Sequence, residues 1–155
     1  MRWIGFMLCL VPLVTHAATA ELQVSVVAGA EEPQAYHYAL DGNKYELDIR
    51  ESHRYQAAFK DGATKRDVCR EAQYKTGLLL SLRSLPKAAD GSQPVEVIGQ
   101  VSTLDSLVDG KSFSCGQNQE VNMSNKAFSD TVQVEPNRTK VVVIDGKYTV
   151  MLKVL

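Results

Sequence analysis

The residues best suited to chemistry in this chain are few: His37, His53, Ser52, a scatter of carboxylates, and the cysteines Cys69 and Cys115. A nucleophilic serine needs a base within hydrogen-bond reach, itself oriented by a third group. Ser52 is next to His53 in sequence, but neighbours on an extended chain point to opposite faces, and no Gly-x-Ser-x-Gly elbow occurs. Acyl transfer therefore has no local support. Paired carboxylates could hydrolyse glycosides, but that chemistry is set by their separation in space, which spacing along the chain does not give.

His37 falls opposite Glu46 if Asp41-Gly42 closes a two-residue hairpin, and the two form a candidate surface pair: a proton-sensitive contact or two of the three or four ligands a metal needs. No third ligand is marked, so an exposed cross-strand contact is the simpler expectation, and neither a metal nor a cofactor is expected. Phosphate loops, dinucleotide fingerprints, EF-hand loops and zinc-finger spacings are missing from the sequence. Asn122-Met123-Ser124 and Asn137-Arg138-Thr139 match the glycosylation acceptor pattern, which matters only in a eukaryotic host.

Residues 1–20 read as a secretory address. Arg2 supplies the positive start, Ile4 to Val14 the apolar centre, and Ala18-Thr19-Ala20 a small-x-small cleavage pattern. The apolar run is shorter than the ~20 residues that span a bilayer and contains Pro12, so no stable membrane insertion is expected after cleavage. Cys9 lies inside the apolar run, behind Phe6-Met7-Leu8, which argues against lipidation. Removing residues 1–20 leaves 155 − 20 = 135 residues, 21–155, the size of one domain. It also leaves 17 − 1 = 16 cations against 18 acids. That near-neutral balance disfavours nucleic acid as a partner. The stretch Arg50, Arg54, Lys60, Lys65, Arg66, Arg70 and Lys75 is interleaved with acids and reads as a solvated face. Cys69 and Cys115 are then the remaining cysteines, with no CxxC motif. In an oxidising compartment they pair as one disulfide closing 115 − 69 = 46 residues.

Five of the ten glycines follow Asp, at Asp41-Gly42, Asp61-Gly62, Asp90-Gly91, Asp109-Gly110 and Asp145-Gly146, a pair suited to tight turns between strands. The first predicts a hairpin with Tyr38 facing Tyr45, Tyr36 facing Leu47 and His37 facing Glu46. The last predicts Val143 opposite Tyr148 and Val141 opposite Val150, leaving Val142, Ile144 and Met151 on the other face. Further strands are expected at Leu22 to Ala28, Arg54 to Lys60, Thr76 to Ser84, Pro94 to Thr103, Lys111 to Cys115 and Thr131 to Glu135. Ala63 to Tyr74 is a helix candidate that could equally be a strand, and Asp105 to Val108 a weaker helical turn. The expected fold is all-β: an antiparallel sandwich or small barrel, with at most one short helix and one disulfide.

The expectation for function is an exported, non-catalytic binding domain of the bacterial cell envelope, periplasmic or secreted, whose partner is an envelope or extracellular protein. The alternatives are a structural subunit using β-strand addition through Leu22 to Ala28 or the C-terminal strand, and a carboxylate-based hydrolase. Tyr36, Tyr38, Tyr45 and Tyr55 are expected in the core, with gripping a partner or a sugar as the other use of such a cluster.

Overall fold

A computed structural model describes residues 20–155, so the expected leader and cleavage pattern lie almost wholly outside the described residues. Eight strands follow one another and no helix forms among the described residues: β1 (Glu21–Ala28), β2 (Gln34–Ala39), β3 (Lys44–Lys60), β4 (Asp67–Ser84), β5 (Gln93–Phe113), β6 (Gly116–Val134), β7 (Thr139–Ile144) and β8 (Tyr148–Val154). They make two antiparallel four-stranded sheets packed as a sandwich, one in the order β2-β1-β8-β7 and the other β3-β4-β5-β6.

Period-two alternation builds the core. Leu22, Val24 and Val26 of β1 and Val150 and Leu152 of β8 face Leu78, Leu80 and Leu82 of β4 and Val95, Val97 and Val101 of β5, all essentially inaccessible to water. Burying a side chain of this size contributes about 1.5–3 kcal/mol relative to leaving it exposed.

Several sequence expectations are corrected, among them Asp109-Gly110 as a turn, since it lies inside β5. Asp41-Gly42 closes no hairpin: β2 pairs with β1 in one sheet and β3 with β4 in the other, so the turn carries the chain between sheets. Asp41 accepts from the Asn43 N–H (2.9 Å) and the Tyr45 hydroxyl (2.8 Å), and the Gly42 N–H reaches Ser84 Oγ (3.0 Å). Tyr38 and Tyr45 still meet, with ring centroids 4.8 Å apart, but they stack across the sandwich. Alternation alone does not say whether two faces meet edge to edge or face to face.

The Asp145-Gly146 turn forms where expected, with positive φ at both residues and Lys147 N donating to the Ile144 carbonyl (3.1 Å). Lys147 stays outside the ladder, however, and Ile144 pairs with Tyr148 and Val142 with Val150. The one-residue shift turns Ile144 and Val142 toward the core and leaves Val141 and Val143 outside, 52% and 64% exposed. Valines occupy both faces of this strand, so the pattern could not choose; the pairing of Val150 with Val26 of β1 does.

The helix candidate at residues 63–74 becomes the turn after Asp61 and the first part of β4. Asp61 Oδ1 accepts from the Ala63 and Thr64 N–H groups, and Asp67 onward pairs with β3. The proposed helical turn at residues 105–108 is a β-bulge in β5, where the register with β6 shifts between Leu104 and Ser106. β1 and β8, the strands that the strand-addition alternative would use, are both interior to their sheet; the strands that end the sheets are β2, β7, β3 and β6.

Strand lengths set the shape. β3 to β6 have 17 to 21 residues, against six to eight in the facing sheet. At ~3.3 Å per residue the longer sheet runs roughly 55–70 Å and the shorter about 20–26 Å. The longer sheet therefore continues well past the sandwich.

Candidate binding site

The projecting part is built by a fork. β4 and β5 pair from Ser84↔Val95 to Gly77↔Ser102 and then separate, while β3–β4 and β5–β6 each continue as a hairpin: a first arm, residues 51–76, and a second, 103–125. Gly77 sits at the branch with φ +122°, and a Cβ there would lie 2.9 Å from the Arg50 Cα. Only glycine allows that conformation and that approach together.

Beyond the fork the arms meet again through Cys69–Cys115, whose Cα atoms are 5.9 Å apart. The Asp67 carboxylate accepts from Ser114 N (2.9 Å) and Ser114 Oγ (2.8 Å), and these donors hold its pKa below the usual value. The N–H groups of Gln56 and Ala58, on the sheet-ending strand β3, donate to the side-chain carbonyls of Gln119 and Asn118, each at 2.9 Å. Amides from β6 thus cap an edge that would otherwise expose unpaired donors. Strand parity places the Cys69 and Asp67 side chains on one face, next to the β3 edge from which Gln56 and Ala58 donate. Ala58 and Cys69 lie on the face opposite to Leu47 and Leu78, so the second arm crosses the outer face of the first.

The inner face of the first arm, continuous with the face that packs the core, carries an aromatic row. His53 stacks on its cross-strand partner Tyr74 (centroids 5.0 Å), and Tyr55 tilts against Tyr74 at 6.1 Å. Nearer the tip the Arg70 guanidinium lies 5.4 Å from the centre of Phe59, which is 41% exposed. Parity puts Tyr55, Tyr74, His53, Phe59 and Arg70 on this one face, past the end of the shorter sheet. The basic stretch read as a solvated face lies on this arm and is partly paired: Arg54 with Glu71 at 3.4 Å, Arg50 and Lys75 with Asp48.

The contacts of His53 do not match those of a catalytic triad. His53 Nε2 is 2.7 Å from Thr76 Oγ1 and 3.9 Å from Glu51 Oε2, so one ring nitrogen makes both contacts, whereas a triad needs the acid on the other nitrogen. His37 and Glu46 are not brought together. His37 is on β2, its Nδ1 3.5 Å from Glu21, and Glu46 is on β3, bonded to Lys44 at 3.0 Å. No group of three potential metal ligands forms among the described residues.

Asp48 holds the base of the first arm. Arg50 donates to both its oxygens (2.7 and 2.8 Å) and Lys75 to one (3.1 Å), which keeps its carboxyl well below the usual 3.8. A depressed folded-state pKa gives stability that is present above the unfolded value and lost as pH falls from about 4 toward the folded one. Asp41, Asp61, Asp67, Asp90 and Asp145 are shifted the same way. Stability is thus expected to fall below about pH 4. In urea melts from pH 7 to 2, Asp48→Asn should be less stable than the parent at pH 7 and converge on it in acid. A constant difference across that range would contradict the assignment.

The sequence marked His53, Tyr55 and the cysteines, but it expected Tyr55 in the core, from which it is absent, and did not show the aromatic row as a unit. Its signal was the spacing: His53 and Tyr55 two apart on one strand, Ala72 and Tyr74 two apart on the next. Recognising it required knowing that residues 67–74 are a strand in register with β3. Comparison with known proteins finds no family model, no curated protein and no solved structure that matches this chain.

Proposed function

We propose that this protein is an exported, non-catalytic binding module of the bacterial cell envelope, and that a protein partner docks on the inner face of the first arm. The observation that carries the reading is the row Tyr55, His53, Tyr74 and Phe59–Arg70, held on a two-stranded arm beyond the sandwich. Tyrosine and arginine dominate the energetically important positions of protein interfaces, because they combine large contact area with polar tips. Sheet-mounted aromatics also lose little conformational freedom on binding. The secretory pattern of residues 1–20 and the Cys69–Cys115 bond support an oxidising, extracytoplasmic setting. The arm is stiffened from its outer side, which leaves its inner face free to bind.

Tyr55→Ala with Tyr74→Ala is expected to weaken partner binding by at least about 2 kcal/mol, roughly thirtyfold, as loss of a hot spot does. Thermal melting should move little, since both side chains lie outside the core cluster. Titration calorimetry against the partner recovered by crosslinking checks both parts. Undiminished affinity in a folded double variant would remove this face from the interface.

A further inference from the structure

The two open sides of the sandwich differ in a way the aromatic arm does not explain. Between β2 and β3 the opening is a cleft of about 320 Å³ in which Glu31, Glu32, Asp48, Arg50 and Glu51 outnumber the apolar lining of Val26, Ala28, Tyr36 and Ile49. Those charges suit water and discourage an apolar strand. Between β6 and β7 the cleft is similar in size, about 330 Å³, but is lined by Val101, Phe128, Val142 and Ile144, with Lys126 and Asp145 bonded across it at 2.8 Å. β7 ends its sheet, and among the described residues no strand pairs with its outer side. Val141 and Val143 stand exposed on its other face beside Met151 and Thr149 of β8. β7 is short and carries Lys140, which discourages indiscriminate pairing, but Val141 to Ile144 have apolar side chains toward both faces and neither Pro nor bulge, so the edge remains a template for a strand whose charges match those lysines.

We propose that β7 is a second docking site, which receives an extended segment of a different polypeptide by β-strand addition. The segment's alternate side chains enter the cleft between β6 and β7 on one face and cover Val141 and Val143 on the other. Charge identifies the occupant further. Lys126, Lys140, Lys147 and Lys153 surround the strand against Asp130 and Asp145, and Asp145 already serves both Lys126 and Lys147. A second copy would set two such cationic strips edge to edge. A strand flanked by Asp or Glu meets them favourably, so the partner segment is apolar at alternate positions and acidic at its ends.

The test uses the purified, isotopically labelled protein and a blocked nine-residue peptide, Glu-Asp-Val-Thr-Val-Thr-Val-Asp-Glu. The amides of residues 139–144 are expected to shift and to exchange at least about tenfold more slowly at peptide concentrations up to about 1 mM. Val141→Asp with Val143→Asp should weaken binding about tenfold or more, and the spectrum of that variant reports that the fold survives, both side chains being exposed. The proposal is overturned by no shift at β7, by shifts at β2 and β3 instead, or by equal binding of a peptide with lysine ends or with its three valines made contiguous. Concentration-dependent dimers that protect β7 without peptide would also overturn it and assign the edge to a second copy. Since Tyr55 and Tyr74 are on the other sheet's arm, Tyr55→Ala with Tyr74→Ala should leave peptide binding unchanged, which separates failure of this site from failure of the arm.

Discussion

Replacing Cys69 and Cys115 together by alanine should cost about 4 kcal/mol of stability. That is the chain-entropy value for a closed loop whose ends are 46 residues apart, and it is a large share of the 5–15 kcal/mol that holds a typical domain together. The loss has a place in the fold as well as a size. Past Gly77 and Ser102 no ladder joins β4 to β5, and the arms are joined by this bond and by four hydrogen bonds to side chains, two from Ser114 to Asp67, one from Gln56 to Gln119 and one from Ala58 to Asn118. Each of those four contributes only about 0.5–1.5 kcal/mol. Without the crosslink the arms should open locally before the sandwich unfolds. Hydrogen exchange should then show protection lost across residues 51–76 and 103–125 while Val24, Leu80 and Val150 keep theirs. Urea melts that differ by less than about 1 kcal/mol, with arm amides as protected as before, would contradict this.

Leu80→Ala is the second change with a large expected effect. Leu80 is fully buried and lies between Leu47 and Gly99 in the longer sheet. Gly99 offers no side chain, and the Phe128 ring lies where its Cβ would be, so the surroundings are already filled and have little room to collapse into a cavity. The cost should be in the upper part of the 2–5 kcal/mol range for such truncations. Leu107→Ala gives the contrast: Leu107 is on the second arm and 39% exposed, and its removal should change stability by about 0.5 kcal/mol or less. Equal losses at the two positions in denaturant melts would mean that the core does not end where the shorter sheet ends.

The fold class, the disulfide and most strand positions were legible because each rests on a local rule. Alternation placed Leu22 to Ala28 and Tyr45 to Ile49, four of the five Asp-Gly pairs fall between strands while Asp109-Gly110 lies inside β5 beside a bulge, and the two cysteines left if residues 1–20 are removed have one simple pairing. Residues 116–130 of β6 escaped because Gln117, Asn118, Gln119, Asn122, Ser124 and Asn125 give no apolar alternation. Residues 116–125 need none, since they lie on the second arm, beyond the core, where no residue is fully buried. The corner at Asp41-Gly42 and the register of β7 were misread for a related reason. Both depend on which third strand lies alongside, β1 in each case through β2 and β8, and no nearest-neighbour pattern encodes that. The aromatic row was hidden by the same non-local pairing, because Tyr74 belongs beside His53 only when β4 runs back along β3 for its full length.

Site-specific photo-crosslinking in the native envelope tests the central claim most directly. A photoreactive residue is placed at position 74 on the inner face of the first arm, and in a second strain at position 131, exposed on β6 in the part of the longer sheet that lies over the core. The arm account predicts one protein crosslinked from position 74 and not from position 131, with the yield from 74 abolished by Tyr55→Ala. Crosslinks of equal yield from both positions, or to the same protein from 131 alone, would contradict it.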